Sequence, residues 1–315
     1  MTYHQKYLFS SVLAITAFAL LLCGPSRGVA APLLGADLAS FAVLGSSTVT
    51  NVPPSKVVGN VGVWSSGGAN AISGFNSSPG VATSDPQVTG GQVHAGTALA
   101  QSAQGQLTTA ITNLGLMVTP PGNILVNPDL TGLILTPGVY TVHAGASNLT
   151  GTVTLDGQGN ANAAWVFQMD SSLITSPGSK VNVINTGSGA GIYWDVRSSA
   201  TIDTTTSFEG NILALASIFL RTNATIGCGR ALANTAEVTM DMNTIGFGCA
   251  AGTGGEGSNG FSGGLTVPAG GGTPTFLPPA PVGGGGRVPE PSSLLLFASG
   301  FAGLAGVAWR RHRSK

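Results

Sequence analysis

The chain has 315 residues, of which only 8% are charged, with 12 basic and 12 acidic side chains. Between residues 32 and 250 there are five basic and ten acidic residues, so this part has no basic patch that could neutralise the phosphates of a nucleic acid. About a quarter of the residues in a typical soluble domain are charged, so the surface of this chain must expose uncharged Thr, Ser, Asn, Gly and Ala instead.

The first residues, 1–30, have the composition of a secretory signal peptide. Lys6 provides the positive start, an apolar run spans residues 8–23, and residues 28–30 are the small residues that signal peptidase requires. We expect cleavage after Ala30. A retained membrane anchor and lipidation at Cys23 are the alternatives.

Most of residues 31–250 are predicted to form short β-strands separated by Gly, Asn, Asp and Ser. Segments such as 152–155 and 180–183 alternate strictly between polar and aliphatic residues, which places the aliphatic side chains on one side of the strand. A looser repeat of aliphatic strands begins at residues 164, 191, 211 and 230. Unequal periods of this kind predict an irregular β-solenoid whose coils stack on one another, with a β-sandwich as the alternative.

Residues 88–114 depart from the β pattern. Small and apolar residues recur there at spacings of three and four, which is the pattern of one helix face. These residues are Gly96, Ala100, Ala103, Leu107, Ala110, Ile111 and Leu114. The pattern predicts one long helix over about residues 88–114 that ends at Gly115 and lies close against the solenoid.

Two cysteines, Cys228 and Cys249, lie in the predicted mature part. Outside the cytoplasm a disulfide between them is expected, and by the chain-entropy model it would stabilise the fold by about 3 kcal/mol. Two cysteines without nearby histidines make a poor metal site, so we expect no metal.

Catalytic motifs are absent from the sequence. The histidines of the mature part, His94 and His143, are interpreted as surface residues, and no nucleophile elbow, zinc-protease or Walker motif occurs. A polysaccharide lyase or hydrolase on a β-helix would need acids and bases clustered in a groove, and Asp195, Arg197 and Asp203 are too sparse for that. We therefore expect no enzymatic activity and no cofactor.

Residues 251–287 are dominated by Gly, Pro, Ser and Thr, with four consecutive glycines at 283–286. Such a segment buries too little apolar surface to offset the entropy lost on ordering. The composition predicts a flexible linker, which leaves residues 31–250 as the folded domain.

The C-terminal residues, 288–315, have three parts. The motif Pro289-Glu290-Pro291 precedes an apolar stretch, residues 292–309, that is about long enough to cross a bilayer, and a basic cluster follows. This arrangement resembles the PEP-CTERM sorting signal of Gram-negative bacteria, with a plain transmembrane anchor as the alternative. The resemblance implies processing by an exosortase-type peptidase, transient anchoring in the inner membrane, and a cell-surface or extracellular location.

Segments of the body also resemble, in order, the ice-binding-protein-like (antifreeze-like, DUF3494-type) family. They are residues 34–44, 58–63, 106–110, 135–140, 165–169, 208–213, 229–233 and 243–244. The resemblance implies the fold of that family, a mainly β, irregular right-handed β-helix with one long α-helix packed alongside.

The same resemblance implies adsorption to ice through a flat solenoid face with ranks of Thr, Ser, Ala and Asn. Because stacked strands repeat at about 4.8 Å, outward threonines would form a regular array of methyl and hydroxyl groups. The residues assigned to this face are Ile174, Thr201, Phe219 and Thr239, with Thr48, Thr50, Thr152 and Thr154 as further contributors. The ice surface is then the expected partner. The alternative is a structural or adhesive role in an exopolysaccharide or biofilm matrix, with matrix polysaccharide as the partner.

Overall fold

A computed structural model of the chain describes residues 30–65, 71–80, 84–249 and 256–282. The predicted sorting segment, and all of the predicted signal peptide except Ala30, lie outside these ranges. The described residues form 24 β-strands, two α-helices and one short 3-10 helix. None of the helices in these ranges is long and apolar enough to cross a membrane.

The helices are α1 (Ala36–Ala39) and α2 (Ala98–Leu114), and the 3-10 helix spans Pro121–Asn123. The strands before α2 are β1 (Ala31–Pro32), β2 (Phe41–Gly45), β3 (Val49–Val52), β4 (Lys56–Val58), β5 (Asn60–Val63), β6 (Ile72–Ser73), β7 (Val88–Thr89) and β8 (Val93–Ala95). The strands that follow, up to the middle of the solenoid, are β9 (Ile124–Leu125), β10 (Ile134–Leu135), β11 (Gly138–Val142), β12 (Thr152–Asn160), β13 (Ala164–Met169), β14 (Leu173–Ile174), β15 (Lys180–Thr186) and β16 (Gly191–Val196). The remaining strands are β17 (Ala200–Ile202), β18 (Ser207–Ala214), β19 (Ile218–Leu220), β20 (Thr225–Ala233), β21 (Val238–Asp241), β22 (Thr244–Gly246), β23 (Leu265–Val267) and β24 (Thr275–Phe276).

All of these strands except β1, β23 and β24 wind into a parallel β-solenoid with three sides, which confirms the predicted fold class. The other three form a small antiparallel sheet. The six-strand side is a six-stranded parallel sheet in the order β14, β17, β19, β21, β3, β6. The other two sides belong to one 15-stranded sheet and share the long strands β18 and β20. The lysine side contains the first residues of those two strands with β4, β7, β10, β12, β15 and β22. The helix side contains their last residues with β2, β5, β8, β9, β11, β13 and β16.

The coils do not stack in chain order. Strands β2, β3 and β4 pair with β20, β21 and β22, so the N-terminal coils stack on the coil that ends at Gly246. Helix α2 then returns along the helix side, and β9 begins the remaining coils at the far end. A helix of 17 residues is about 25 Å long, which matches about five strand spacings.

Inward side chains stack in register because the strands are parallel. An aromatic column runs through Tyr140, Phe167, Trp194 and Phe208, with successive ring centroids 5.6, 4.0 and 5.0 Å apart. The indole N–H of Trp194 donates to the backbone carbonyl of Glu209 at 3.0 Å, so the polar atom of this buried ring is satisfied. The column makes the interior of the solenoid a continuous core.

Helix α2 packs on the outward side chains of the helix side and forms a second core there. Its small residues, such as Ala103 and Ala110, are buried in this core together with Val166, Tyr193 and Leu213. Close packing needs small side chains on the helix, as the sequence pattern indicates.

The predicted start of the helix near residue 88 is wrong, whereas its end at Leu114 is confirmed. Residues Val88–Thr89 and Val93–Ala95 pair as strands, and Gly96 has a left-handed φ of 69° that no helix permits. Thr97 then caps the helix, accepting a hydrogen bond from the Ala100 N–H at 3.2 Å.

Residues 256–282 form a strap. Its two ends run along the edge where the lysine and helix sides meet, named here the strapped edge, and its middle lies against α2 and β1. Just before it, Cys249 forms the predicted disulfide with Cys228 of β20, their Cα atoms 4.7 Å apart. Phe261 and Leu265 of the strap are buried, and β23 pairs antiparallel with both β1 and β24. The flexible linker predicted for residues 251–287 is therefore wrong for residues 256–282.

Buried side chains of the solenoid hold the backbone of this strap. The guanidinium of Arg230 is fully buried and donates to the carbonyls of Asn259 and Gly260 at 3.1 and 3.3 Å. The side-chain amide of Asn211 donates to the carbonyl of Phe261 at 2.9 Å. Burial lowers the pKa of Arg230 to about 10, so it stays charged at neutral pH. These partners are distant in sequence, so the local composition of the strap gives no sign of them.

Candidate functional site

The outward side chains of the six-strand side form one row across the sheet, named here the central rank. The parallel register places one residue from each strand in it. In spatial order the members are Ile174, Thr201, Phe219, Thr239, Thr50 and Ser73. With strands about 4.8 Å apart, five spacings give a rank about 24 Å long.

The position of each member follows from the alternation along its strand. The residue before each one points inward and is buried, because successive side chains of a strand face opposite ways. These inward residues are Leu173, Ala200, Ile218, Val238, Val49 and Ile72. Each strand is therefore anchored in the core by an apolar side chain, and the outward row is held at fixed spacing.

Two rows flank the central rank, and the charged residues of this side lie in them. The row before it contains Ser199, Ser217, Glu237 and Thr48. The row after it contains Asp203, Arg221, Asp241 and Val52. The hydroxyl of Thr222 donates to the carboxylate of Asp241, which ties one of these charges to the turn beside it. No member of the central rank is charged.

The structure brings together most of the residues that the sequence assigned to this face. Thr50, Ile174, Thr201, Phe219 and Thr239 are in the central rank, and all five are partly exposed.

Thr48 lies in the first flanking row, two residues before Thr50. The assignment of Thr152 and Thr154 is wrong, because both lie on β12 of the lysine side. The coil of β12 reaches the six-strand side only through an isolated bridge between Leu149 and Thr175, so it adds no outward threonine there. Ser73 belongs to the rank but was missed, since its strand has two residues and shows no alternation.

The outward side chains of the lysine side form a second row, which contains charged residues, unlike the central rank. Its members are Thr152, Lys180, Ser207, Thr225, Thr244 and Lys56. Both lysines are exposed, and a register shift between Phe208 and Glu209 breaks the next row. Hydroxyl groups are as frequent here as in the central rank, but strongly hydrated ammonium groups stand among them.

The acidic and basic residues considered for catalysis do not converge. Asp195 is fully buried and pairs with Arg197 at 3.2 Å, next to Gly115 at the end of α2. Burial raises the pKa of Asp195 to about 6, opposed by the positive charge of Arg197. Asp203 lies on the six-strand side instead. Across the described ranges, no three His, Cys, Asp or Glu side chains group closely enough to hold a metal ion.

The two histidines have different environments. His94 is buried, with its ring edge-on to that of Phe41 at a centroid distance of 5.5 Å, so its assignment to the surface is wrong. Burial lowers the pKa of His94. His143 is exposed, as predicted, and pairs with the carboxylate of Asp170.

Known proteins have similar sequences over most of this chain. A family model described as ice-binding-like matches residues 43–246, and a PEP-CTERM protein-sorting motif matches residues 287–313. An ice-binding protein of Nostoc sp. (strain HG1) is 39% identical over 246 residues, covering 78% of this chain and 84% of its own. An ice-binding protein of Flammulina populicola is 32% identical, covering 75% of this chain and 96% of its own.

Solved structures of ice-binding proteins are also similar to this chain. The crystal structure of an ice-binding protein from an Antarctic biological consortium has a TM-score of 0.57 and 35% identity, covering 68% of this chain and 90% of its own. That of an ice-binding protein from the Antarctic ascomycete Antarctomyces psychrotrophicus has a TM-score of 0.59 and 30% identity, covering 69% and 98%.

Proposed function

Because this chain belongs to the ice-binding-like family, we propose that it adsorbs to ice through the central rank of the six-strand side and so limits the growth or recrystallisation of ice. The observation that supports this assignment is the row itself, in which six side chains stand in register without a charge. Of the other two sides, one is covered by α2 and the other carries Lys56 and Lys180 in its outward row.

The proposed mechanism is the ordering of water by a rigid array. Threonine methyl groups favour an ordered layer of water beside them, while the hydroxyl groups anchor that layer by donating and accepting hydrogen bonds. Thr201, Thr239 and Thr50 repeat these groups at multiples of the strand spacing. A layer held in this way merges with the ice lattice over many positions at once, and adsorption needs no catalysis.

The two large apolar members make this face weaker than a continuous threonine row. Phe219 stands between Thr201 and Thr239, and Ile174 ends the rank. Neither offers a hydroxyl group, and a phenyl ring is larger than a threonine side chain. We therefore propose weak to moderate activity.

The proposed location is the cell surface, reached after two processing steps. Signal peptidase cleaves after Ala30, and an exosortase-type peptidase acts near Pro289-Glu290-Pro291, within the matched sorting motif. Until the second step, residues 292–309 anchor the chain in the inner membrane. The exported body then comprises residues 31–282, including the strap.

The test compares one substitution on each outward row, in a chain from Ala31 to Val282. Thr201→Tyr places a bulky ring in the central rank and is expected to abolish the shaping of ice crystals. Thr225→Tyr makes the same change in the outward row of the lysine side and is expected to leave shaping intact. Both residues are partly exposed, so the thermal unfolding midpoints should stay close to that of the unsubstituted chain.

Three outcomes separate the possibilities. Loss of activity in Thr201→Tyr alone supports the proposal. Loss in Thr225→Tyr alone would move the site to the lysine side. If the unsubstituted chain neither shapes ice crystals nor inhibits recrystallisation at high concentration, the ice-binding proposal is wrong, and a structural or adhesive role in the matrix becomes the working hypothesis.

A further inference from the structure

We propose that two copies of this chain join at their far ends, where β9 begins the last coils, and that the dimer holds both central ranks on one face. The contact surface is the end face, defined here as the outer surface of the terminal coil, residues 124–135. The dimer itself does not depend on ice binding. Its effect on activity rests on the proposed function of the central rank.

The terminal coil leaves the core of the solenoid open. It contains β9 on the helix side and β10 on the lysine side, and the segment between them crosses the six-strand side without a strand. The inward residues Leu125 and Leu133 are only partly buried. Inward residues of the next coil, such as Val142 and Val153, are fully buried because a further coil covers them. The end face therefore lacks a covering layer.

Exposed aliphatic side chains surround this opening. Val126, which follows β9, is 86% exposed, and Ile134 of β10 is 70% exposed. Ile124 of β9 is also exposed, and Val118, in the segment that leads from α2 to β9, is 83% exposed. Together these side chains expose roughly 300 Å² of apolar surface, a size typical of interaction sites on monomers. Terminal repeats of a soluble solenoid usually have a polar outer face, which this coil does not have.

The end face carries almost no charge. Between residues 115 and 151 the sequence has one charged side chain, Asp129, and one histidine, His143. The Asp129 carboxylate accepts a hydrogen bond from the hydroxyl of Thr131 at 2.7 Å, and His143 pairs with Asp170. Such a surface does not repel a second copy of itself and does not attract a highly charged partner.

The backbone edges of the terminal coil identify the occupant. Within the described part of the chain, β9 pairs with β11 alone and β10 with β12 alone, so the outer edge of each strand is free to pair. An unpaired strand edge is a template for another strand. A second terminal coil offers two free strand edges, an open core and the same cross-section. It therefore matches the end face in all three respects.

The positions of the two edge strands select one twofold arrangement. A twofold axis across the end face makes the strands that meet there antiparallel. If the axis is normal to the six-strand side, the helix side of each copy meets the lysine side of the other, and β9 of each copy pairs with β10 of its partner. If the axis is normal to either of the other sides, only one pair of strands meets. The first arrangement forms two ladders, and we assign it to the dimer.

This arrangement brings the two central ranks into line. Both six-strand sides face the same direction, and the Ile174 ends of the ranks point towards each other. The Asn148 N–H donates to the carbonyl of Ile174, and the Leu130 N–H donates to the carbonyl of Asn148, so two coils lie between Ile174 and the end face. Five spacings, about 24 Å, then separate the two ranks. Once one rank is on ice, the second binds intramolecularly, which strengthens adsorption.

Sedimentation velocity tests the dimer in the chain from Ala31 to Val282. We expect a monomer–dimer equilibrium that depends on concentration, because a stable dimer buries about 800 Å² on each partner and the end face is small. Val126→Asp places a charge in the contact and should weaken the dimer by about tenfold or more. Val58→Asp is the matched control, since Val58 is exposed on β4 near the other end of the lysine side, and it should leave the dimer unchanged.

Dissociation by Val126→Asp alone supports the proposal, provided that the thermal unfolding midpoints of both variants stay close to that of the unsubstituted chain. If the unsubstituted chain is monomeric at the highest soluble concentration, or if both substitutions dissociate the dimer equally, the end face is not a dimer contact.

Cross-linking tests the arrangement of the two copies. Ile124→Cys marks β9 and Ile134→Cys marks β10, and a short bis-maleimide joins cysteines that lie close together. A mixture of the two variants should give cross-linked dimers, whereas each variant alone should give almost none. The unsubstituted chain, whose Cys228 and Cys249 are joined, is the blank. Links that form in one variant alone and not in the mixture would overturn the assigned arrangement.

Recrystallisation inhibition tests the consequence for activity. At a concentration where the unsubstituted chain is dimeric, Val126→Asp should lower the inhibition several-fold, and Val58→Asp should not. If the chain inhibits recrystallisation and Val126→Asp has no effect, the alignment of the two ranks is wrong while the proposed function stands. If the dimer forms and cross-links as expected but the chain has no ice activity, the proposed function fails and the dimer stands.

Discussion

The central rank and the strapped edge belong to the same coils but use their side chains in opposite ways. Members of the rank, such as Thr201 and Thr239, are partly exposed and face water. Residues of the edge, such as Arg230 and Asn211, are fully buried and bind the backbone of another segment. The difference separates the proposed recognition surface from the residues that stabilise the solenoid. Substitutions should therefore change one without the other.

The largest effect is expected on the stability of the strapped edge. A chain from Ala31 that ends at Ala250 loses the burial of Phe261, Leu265 and Val267, and it leaves Arg230 without its strap partners. Each apolar side chain contributes about 1.5–3 kcal/mol, so the free energy of unfolding should fall by about 5 kcal/mol relative to a chain that ends at Val282. Urea denaturation measures this difference. Phe276→Ala in the longer chain is the control and should cost far less, because Phe276 is 42% exposed. Equal midpoints for the two chains would show that the strap contributes nothing.

The strapped edge should also respond to pH, whereas the central rank should not. Burial raises the pKa of Glu209 from 4.5 to about 8, opposed by a backbone hydrogen bond from Cys228 and by Lys180. Between these values the folded chain holds a proton that the unfolded chain has lost. The free energy of unfolding therefore falls as the pH rises from about 4.5 to about 8, by at most about 5 kcal/mol, and then levels.

Glu209→Gln removes this titration and should flatten the stability profile between pH 6 and 8. Denaturation at several pH values checks the profile, and ice shaping by the folded chain should not change over the same range. An unchanged slope in Glu209→Gln would assign the pH dependence to another group.

A charge in the central rank should reduce activity without affecting stability. Thr239→Lys adds a strongly hydrated ammonium group among uncharged neighbours, and recrystallisation inhibition should fall several-fold. The free energy of unfolding should stay within about 0.5 kcal/mol, as is usual at surface positions. Thr225→Lys is the matched control, because its row already contains Lys56 and Lys180. Equal loss of activity in both variants would contradict the distinction between the two sides.

The smallest effect on activity is expected from replacing the phenyl ring of the central rank by threonine. Phe219→Thr restores a hydroxyl and a methyl group between Thr201 and Thr239 and should increase activity modestly. It also removes partly buried apolar surface, so the unfolding free energy should fall by about 1 kcal/mol. Thermal hysteresis and a denaturation curve measure the two changes. A loss of activity would mean that the phenyl ring itself contacts ice.

Local patterns were sufficient to predict several features of the fold. Strict alternation indicated that Thr239 points outward, and the family resemblance assigned Thr201 to the same face. Spacings of three and four gave the buried face of α2. Because the chain was expected to lie outside the cytoplasm, the disulfide between Cys228 and Cys249 could also be predicted.

Features that depend on distant partners could not be predicted in this way. Thr152 alternates as regularly as Thr201, and only the stacking of coils shows that it belongs to another side. The strap has the composition of a linker, and its order depends on Arg230 and Asn211. The helix start was misplaced because the strand Val93–Ala95 finds its partner in β5, about 30 residues earlier.

The stacking of β3 on β21 also has a consequence for the order of events during export. The Asn243 N–H donates to the hydroxyl of Ser55 at 3.0 Å, across a sequence separation of 188 residues. A chain that crosses the membrane with its N-terminus first delivers β3 early, but the strand on which β3 stacks emerges only near the end of the body. The coils from β2 to β8 therefore lack their stacking partner until late in export, and contacts of such long range form slowly. With the anchor proposed at residues 292–309, the last coil completes the solenoid shortly before that anchor reaches the membrane, and we expect folding to finish while the chain is still attached to the cell.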